Sequence, residues 1–134
     1  KEFYAENNVT PVSLDDLIKK SDVVTLHLPF DDSTKNIMNQ ERLQMLKSNA
    51  VLINLARGGL IDEATLKEVL IDNKIAGAAL DVFEIEPPID PSFATMDNVL
   101  ITPHIGGSTE EAILAMGMAA INGLDNAKDP LNFL

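Results

Sequence analysis

The chain has 134 residues, 46% apolar and 23% charged, a balance that suits one soluble globular domain and not a disordered chain. Its net charge of −11, from 21 acids against 10 bases, repels nucleic acid and anionic membrane, so neither is an expected partner. No cysteine is present, which removes disulfides, thiolate zinc sites and cysteine nucleophiles.

With 4% aromatic residues and no Trp, the core must come from Leu, Ile, Val, Ala and Met, which suits helices on a parallel sheet. Val9-Thr10 reads as a brief strand. Ser13 can cap a helix from Leu14 to Lys20, with Asp16 in its first turn. Val23-Val24-Thr25-Leu26-His27-Leu28 is β-branched and continuous, as a strand buried on both faces should be. A helix over residues 40–46 places Leu43 and Leu46 on one face. Val51-Leu52-Ile53-Asn54-Leu55 is a second strand. Asp62 can cap residues 63–72, where Leu66, Val69 and Leu70 recur at helical spacing. Ala78-Ala79-Leu80-Asp81-Val82 and Val99-Leu100-Ile101 are two further strands. The last helix runs from about Ser108 to Asn126, capped by Ser108 or Thr109. Its Ala115, Met116, Gly117, Met118, Ala119 and Ala120 suit close packing against another backbone, either the sheet or a partner subunit. No apolar run reaches membrane-spanning length, and Lys1-Glu2-Phe3-Tyr4 is not a signal peptide, so a cytoplasmic location is expected.

Alternation of strands and helices predicts a parallel α/β sheet covered on both sides, with right-handed crossovers and ligands beyond the carboxyl strand ends. Those ends carry His27-Leu28-Pro29, Arg57-Gly58-Gly59, Asp81 with Glu86-Pro87-Pro88, and His104-Ile105-Gly106-Gly107. The Arg57 fork can hold a carboxylate bidentately. His104 titrates near neutrality, and Glu86 could orient its ring and steady the imidazolium. Gly106-Gly107 before a helix lets backbone N–H groups approach a ligand. Carboxylate anchor, imidazole acid–base and supporting carboxylate suit redox chemistry at a carbon bearing a hydroxyl beside a carboxylate. Each residue taken singly also fits a plainer role. Arg57 could be a surface turn residue, His104 and Glu86 solvated loop residues, and Asp81 a turn cap. His27 reads as a packed histidine, and Met116 and Met118 as packing. The two histidines have no metal-ligand spacing.

Three long segments resemble a known family. Residues 54–62, Asn-Leu-Ala-Arg-Gly-Gly-Leu-Ile-Asp, resemble the arginine signature of the D-isomer-specific 2-hydroxyacid dehydrogenases. Residues 78–88 resemble their Asp-to-Glu segment, and residues 103–112 their histidine segment, in the same order. The Glu-Pro-Pro and Gly-Gly-Ser-Thr-Glu-Glu-Ala wording is most similar to the phosphoglycerate dehydrogenase branch. The resemblance implies a partial Rossmann-type doubly wound parallel sheet that lacks its first βαβ unit. It implies that Arg57 binds the substrate carboxylate and keto oxygen, that His104 exchanges the hydroxyl proton, and that Glu86 pairs with His104. Leu28, Pro29, Leu55, Ala56, Arg57, Asp81, His104, Ile105, Gly106 and Gly107 would line a nicotinamide cofactor. The cofactor would be NAD, with NADP left open, because the acidic residue that distinguishes them would precede Lys1. No metal would be required, the substrate would be a small 2-hydroxy or 2-keto acid, and the assembly a homodimer. No Gly-x-Gly-x-x-Gly turn occurs in the chain, so a fragment is expected. Residues 1–126 would be the carboxyl-terminal part of the cofactor domain, and residues 127–134 the return to a substrate domain. A half sheet of this kind should be weakly stable or associate unless another chain completes it. The contrasting expectation is a catalytically silent association module.

Overall fold

The computed structural model describes residue 4 and residues 6–125, and the chain folds as two compact units, Lys1–Pro103 and His104–Leu134. The first unit is built on strands β1 (Val23–Leu26), β2 (Val51–Asn54), β3 (Gly77–Leu80) and β4 (Val99–Ile101). All pair in parallel, in the order β1-β2-β3-β4. The register aligns Val24, Leu52, Ala78 and Val99 in one row, and Leu26, Asn54, Leu80 and Ile101 in the row above. Residues two apart on a strand share a face, so both rows point the same way. That face meets helices α1 (Leu14–Lys20), α2 (Gln40–Met45) and α3 (Glu63–Ile71), which bring Ile18, Leu43, Leu66, Val69 and Leu70 into one buried cluster. Each such side chain contributes about 2 kcal/mol when taken from water.

The expected coverage of both sheet faces is not realised within this unit. β1 alternates exposed and buried positions, and Val23 and Leu100 are 56% and 66% exposed. The reason is topological: strands added in one direction by right-handed crossovers place every connecting helix on one side. A second layer needs a reversal of strand order, and the described strands contain none.

The caps follow the sequence closely. Ser13 Oγ accepts the Asp16 N–H at 3.1 Å, and Asp62 Oδ1 accepts the Thr65 N–H at 3.1 Å. Asn39, not singled out above, caps α2 by accepting the Arg42 N–H at 3.0 Å. A 3₁₀ helix over Pro91–Thr95 is not expected from its proline-rich surroundings; it buries Phe93 against Phe83, with ring centroids 6.0 Å apart. Val9-Thr10 forms no strand and is exposed. In the second unit α4 covers Glu110–Asp125, and Thr109 Oγ1 caps it by accepting the Ala112 N–H at 3.1 Å. The predicted end of this helix at Asn126, and the boundary between residues 126 and 127, lie outside the described residues.

Candidate active site

Parallel pairing puts the carboxyl ends of β1, β2 and β3 on one edge of the sheet. At the end of β2 the buried Asn54 turns its amide onto the chain that follows. Its Oδ1 accepts the Ala56 N–H at 3.1 Å, and its Nδ2 donates to the Arg57 carbonyl at 2.9 Å. The turn carrying Arg57 is therefore fixed from beneath by a side chain that is 2% exposed. Arg57 itself is exposed and donates through Nη1 to the Ala56 carbonyl at 2.6 Å. Arg42, Lys20, Lys47, Lys67 and Lys74 each pair with an aspartate, whereas Arg57 pairs with no carboxylate among the described residues. In so acidic a chain, that leaves a guanidinium able to take an external anion.

The two glycines after Arg57 have separate causes. A Cβ on Gly58 would lie 1.9 Å from the Phe83 carbonyl oxygen, so only glycine lets this turn rest on the loop after β3. Gly59 has φ +76°, in the left-handed region, and packs beside the Phe30 ring. The loop after β1 adds two backbone bonds, Asn36 N–H to the Gly59 carbonyl at 2.9 Å and Met38 N–H to the Leu60 carbonyl at 3.0 Å.

Past β3, Asp81 is 2% exposed and accepts the Thr102 hydroxyl, while its N–H donates to the Asn54 carbonyl at 3.0 Å. Glu86 is exposed, and its carboxylate accepts the Phe83 N–H at 3.0 Å. The Glu84 N–H donates to the Glu63 carboxylate at 2.6 Å. Burial pushes the Glu63 carboxyl above the ordinary glutamate range; the nearby charges of Glu84 and Glu86 add to this, and the bond from Glu84 opposes it. At the end of β1, Leu28 and Pro29 are exposed, and Thr34 Oγ1 donates to the Pro29 carbonyl at 2.8 Å.

His27 departs from expectation. β1 ends at Leu26, so His27 lies beyond the sheet, exposed, with Nε2 3.0 Å from the Thr25 hydroxyl. His104 opens the second unit, followed by Ile105, Gly106 and Gly107. It has φ +54°, while among the described residues the other non-glycine positions with positive φ are Asn8, Asn36 and Asn73. Asparagine adopts this region readily. A histidine held there costs about 1 kcal/mol, the kind of local strain that collects at functional positions. Thus the first unit gathers Leu28, Pro29, Leu55, Ala56, Arg57, Asp81 and Glu86 on one sheet edge, and the second begins with the histidine segment. Asn54 and Glu63 are not singled out by sequence reasoning. A polar residue closing an apolar strand is a signal for Asn54; nothing local marks Glu63.

A four-stranded parallel sheet with its helices, carrying the Arg57 turn on its carboxyl edge, is an α/β fold of the Rossmann-like class. Residues 1–106 match the model for the D-isomer specific 2-hydroxyacid dehydrogenase, NAD binding domain, and the chain belongs to that family. It is 51% identical over 104 residues to D-3-phosphoglycerate dehydrogenase from Methanocaldococcus jannaschii, covering 78% of this chain and 20% of the relative. It is 44% identical over 113 residues to hydroxypyruvate reductase from Thermotoga maritima, covering 82% of this chain and 37% of the relative. Among solved structures, the NAD-complexed D-isomer specific 2-hydroxyacid dehydrogenase from Lactobacillus delbrueckii ssp. bulgaricus is similar with a TM-score of 0.78 and 33% identity. That match covers 93% of this chain and 43% of the solved one. The chain thus spans about a fifth to two-fifths of the length of these relatives.

The residues of the sheet edge fit an NAD-binding role. Leu28 and Leu55, at the ends of neighbouring strands, are apolar yet 38% and 52% exposed, a surface on which a flat ring would find an apolar seat. The buried Asp81 closes the adjacent strand.

Proposed function

We propose that this chain works within an NAD-dependent oxidoreductase acting on a D-2-hydroxy acid, with a 3-phosphoglycerate-like acid as the first candidate substrate. The observation that carries the reading is Arg57: exposed, without a carboxylate partner among the described residues, and fixed by Asn54 on the edge that also bears Glu86. In this reading the Arg57 fork binds the substrate carboxylate and polarises the oxygen at C2. His104 takes the hydroxyl proton during oxidation and returns it during reduction, and Glu86 pairs with the ring to steady the imidazolium. Leu28, Pro29, Leu55 and Ala56 line the cofactor, Asp81 stands near its carboxamide, and Ile105, Gly106 and Gly107 pass close to its nicotinamide end. Bound there, NAD supplies the hydride acceptor. The substrate preference is supported by the wording of residues 86–88 and 106–112 and by the 51% identity to a phosphoglycerate dehydrogenase. Glyoxylate, hydroxypyruvate and D-lactate stand behind it.

We place the enzyme in the cytoplasm as a homodimer. Support for association comes from α4, where Ile113, Leu114, Met116, Met118, Ile121 and Leu124 are exposed. Oxidation of D- against L-2-hydroxy acids, followed by NADH absorbance, tests the function. A clear D preference that falls at least a hundredfold in kcat/KM in Arg57→Ala is expected. Equal turnover of both isomers, or an unimpaired Arg57→Ala, refutes it. Sedimentation that returns a dimer with no turnover would favour the silent association module.

A further inference from the structure

Glu63 is the first residue of α3, directly after its cap Asp62, and nothing in the helix requires a carboxylate to leave it. Yet the Glu63 side chain reaches off the helix and accepts the Glu84 N–H at 2.6 Å. The segment it holds presents Glu86. Contacts that fix residues 83–86 include the bond from Phe83 N–H to the Glu86 carboxylate, the close approach of Gly58 to the Phe83–Glu84 peptide, the Phe83 ring against Phe93, and the bond to Glu63. The first of these is internal to the loop, and the second ties it to the Arg57 turn. The bond to Glu63 ties it to α3. The arrangement carries an electrostatic cost, because the half-buried Glu63 carboxylate stands near the charges of Glu84 and Glu86. A surface acid with no task would turn to water, where that cost vanishes.

We propose that Glu63 is a positioning residue, which fixes the Glu84 amide and so the loop from which Glu86 acts. The inference rests on the reading of Glu86 given above and adds a residue to it. The hydrogen bond, not the charge, does the holding. Glutamine keeps an acceptor oxygen at the same reach, whereas aspartate keeps the charge but withdraws the acceptor by about 1.5 Å, one carbon–carbon bond.

The test uses the complete oxidoreductase with Glu63→Gln, Glu63→Asp and Glu63→Ala, assayed well below each thermal midpoint. Glu63→Gln is expected to keep kcat within about twofold. Glu63→Asp and Glu63→Ala are expected to lose about ten- to a hundredfold in kcat, the scale of a misplacement near 1 Å, with KM for NADH unchanged. A merely structural role would lower the midpoint without dividing kcat from KM and without rescue by glutamine. Should Glu63→Ala fail to fold, the Gln and Asp pair still decides. Wild-type kcat in Glu63→Asp, or loss of kcat in Glu63→Gln equal to that in Glu63→Asp, overturns the proposal. Glu86→Gln, run alongside, separates the two levels. If it is impaired while Glu63→Asp is intact, only the Glu63 inference falls; if it turns over like wild type, the catalytic reading of Glu86 falls first.

Discussion

Replacing Gly58 by alanine places a methyl group against atoms that cannot yield cheaply. The new Cβ would stand 1.9 Å from the Phe83 carbonyl oxygen, 2.2 Å from its carbon and 2.7 Å from the Glu84 nitrogen, all backbone. Ordinary contact begins at 3.4 Å, so turn and loop must separate by about 1.5 Å. That separation strains the bonds from Phe83 N–H to Glu86 and from Glu84 N–H to Glu63, each contributing about 1 kcal/mol. Overpacking adds about 1–3 kcal/mol, giving a loss of about 3–5 kcal/mol if both bonds are lost. Urea unfolding of this chain, followed by far-ultraviolet circular dichroism, measures it as a fall in midpoint at constant slope. In the complete enzyme, displacement of Arg57 relative to Glu86 should lower kcat by about a hundredfold. A Gly58→Ala protein with wild-type midpoint and turnover would show that turn and loop are not packed as described.

Asp62→Ala should remove the cap of α3 and lower stability by about 1 kcal/mol, measured by the same unfolding. The Glu63 carboxyl is raised in the folded chain, so its contribution is present below the unfolded value and is lost as pH rises through the folded one. Glu63→Gln should therefore gain stability relative to the wild type as pH rises above the ordinary glutamate range, and parallel pH–stability curves would contradict this. Asp90 moves the other way. Its bonds with Lys67 and Ser92 hold it down at about 2, so its contribution is present above the ordinary carboxyl range and is lost as pH falls towards that value. Lys67→Met should flatten this part of the acid unfolding curve by a small amount, because the pair is exposed and screened.

The elements are legible in the sequence because local rules and tertiary context agree on them. Val51 to Asn54 is a β-branched run that lands in the sheet, and Ser13 and Asp62 cap the helices their positions announce. The motif positions after β2 and β3 are equally legible, and Arg57, Asp81 and Glu86 do share one edge. What the chain does not advertise is set by partners distant in sequence. The Gly58 contact with Phe83 joins residues 25 positions apart, and the Glu63 bond to Glu84 joins residues 21 apart. Neither has a local signature. His27 falls outside the sheet because an apolar run does not mark where pairing stops, and β1 ends one residue earlier. One-sided helix coverage follows from strand order, which hydrophobic periodicity cannot report.

Arg57 and His104 lie in different units of the chain, and a double-mutant cycle on kcat/KM measures directly whether they act on one substrate. Residues that work as a unit are strongly non-additive. Arg57→Ala and His104→Ala should each lower kcat/KM for the D-2-hydroxy acid by at least about a hundredfold, and the double variant should be little worse than the poorer single one. Full additivity of two large losses would place them at independent tasks, and wild-type turnover in either single variant would contradict the site itself.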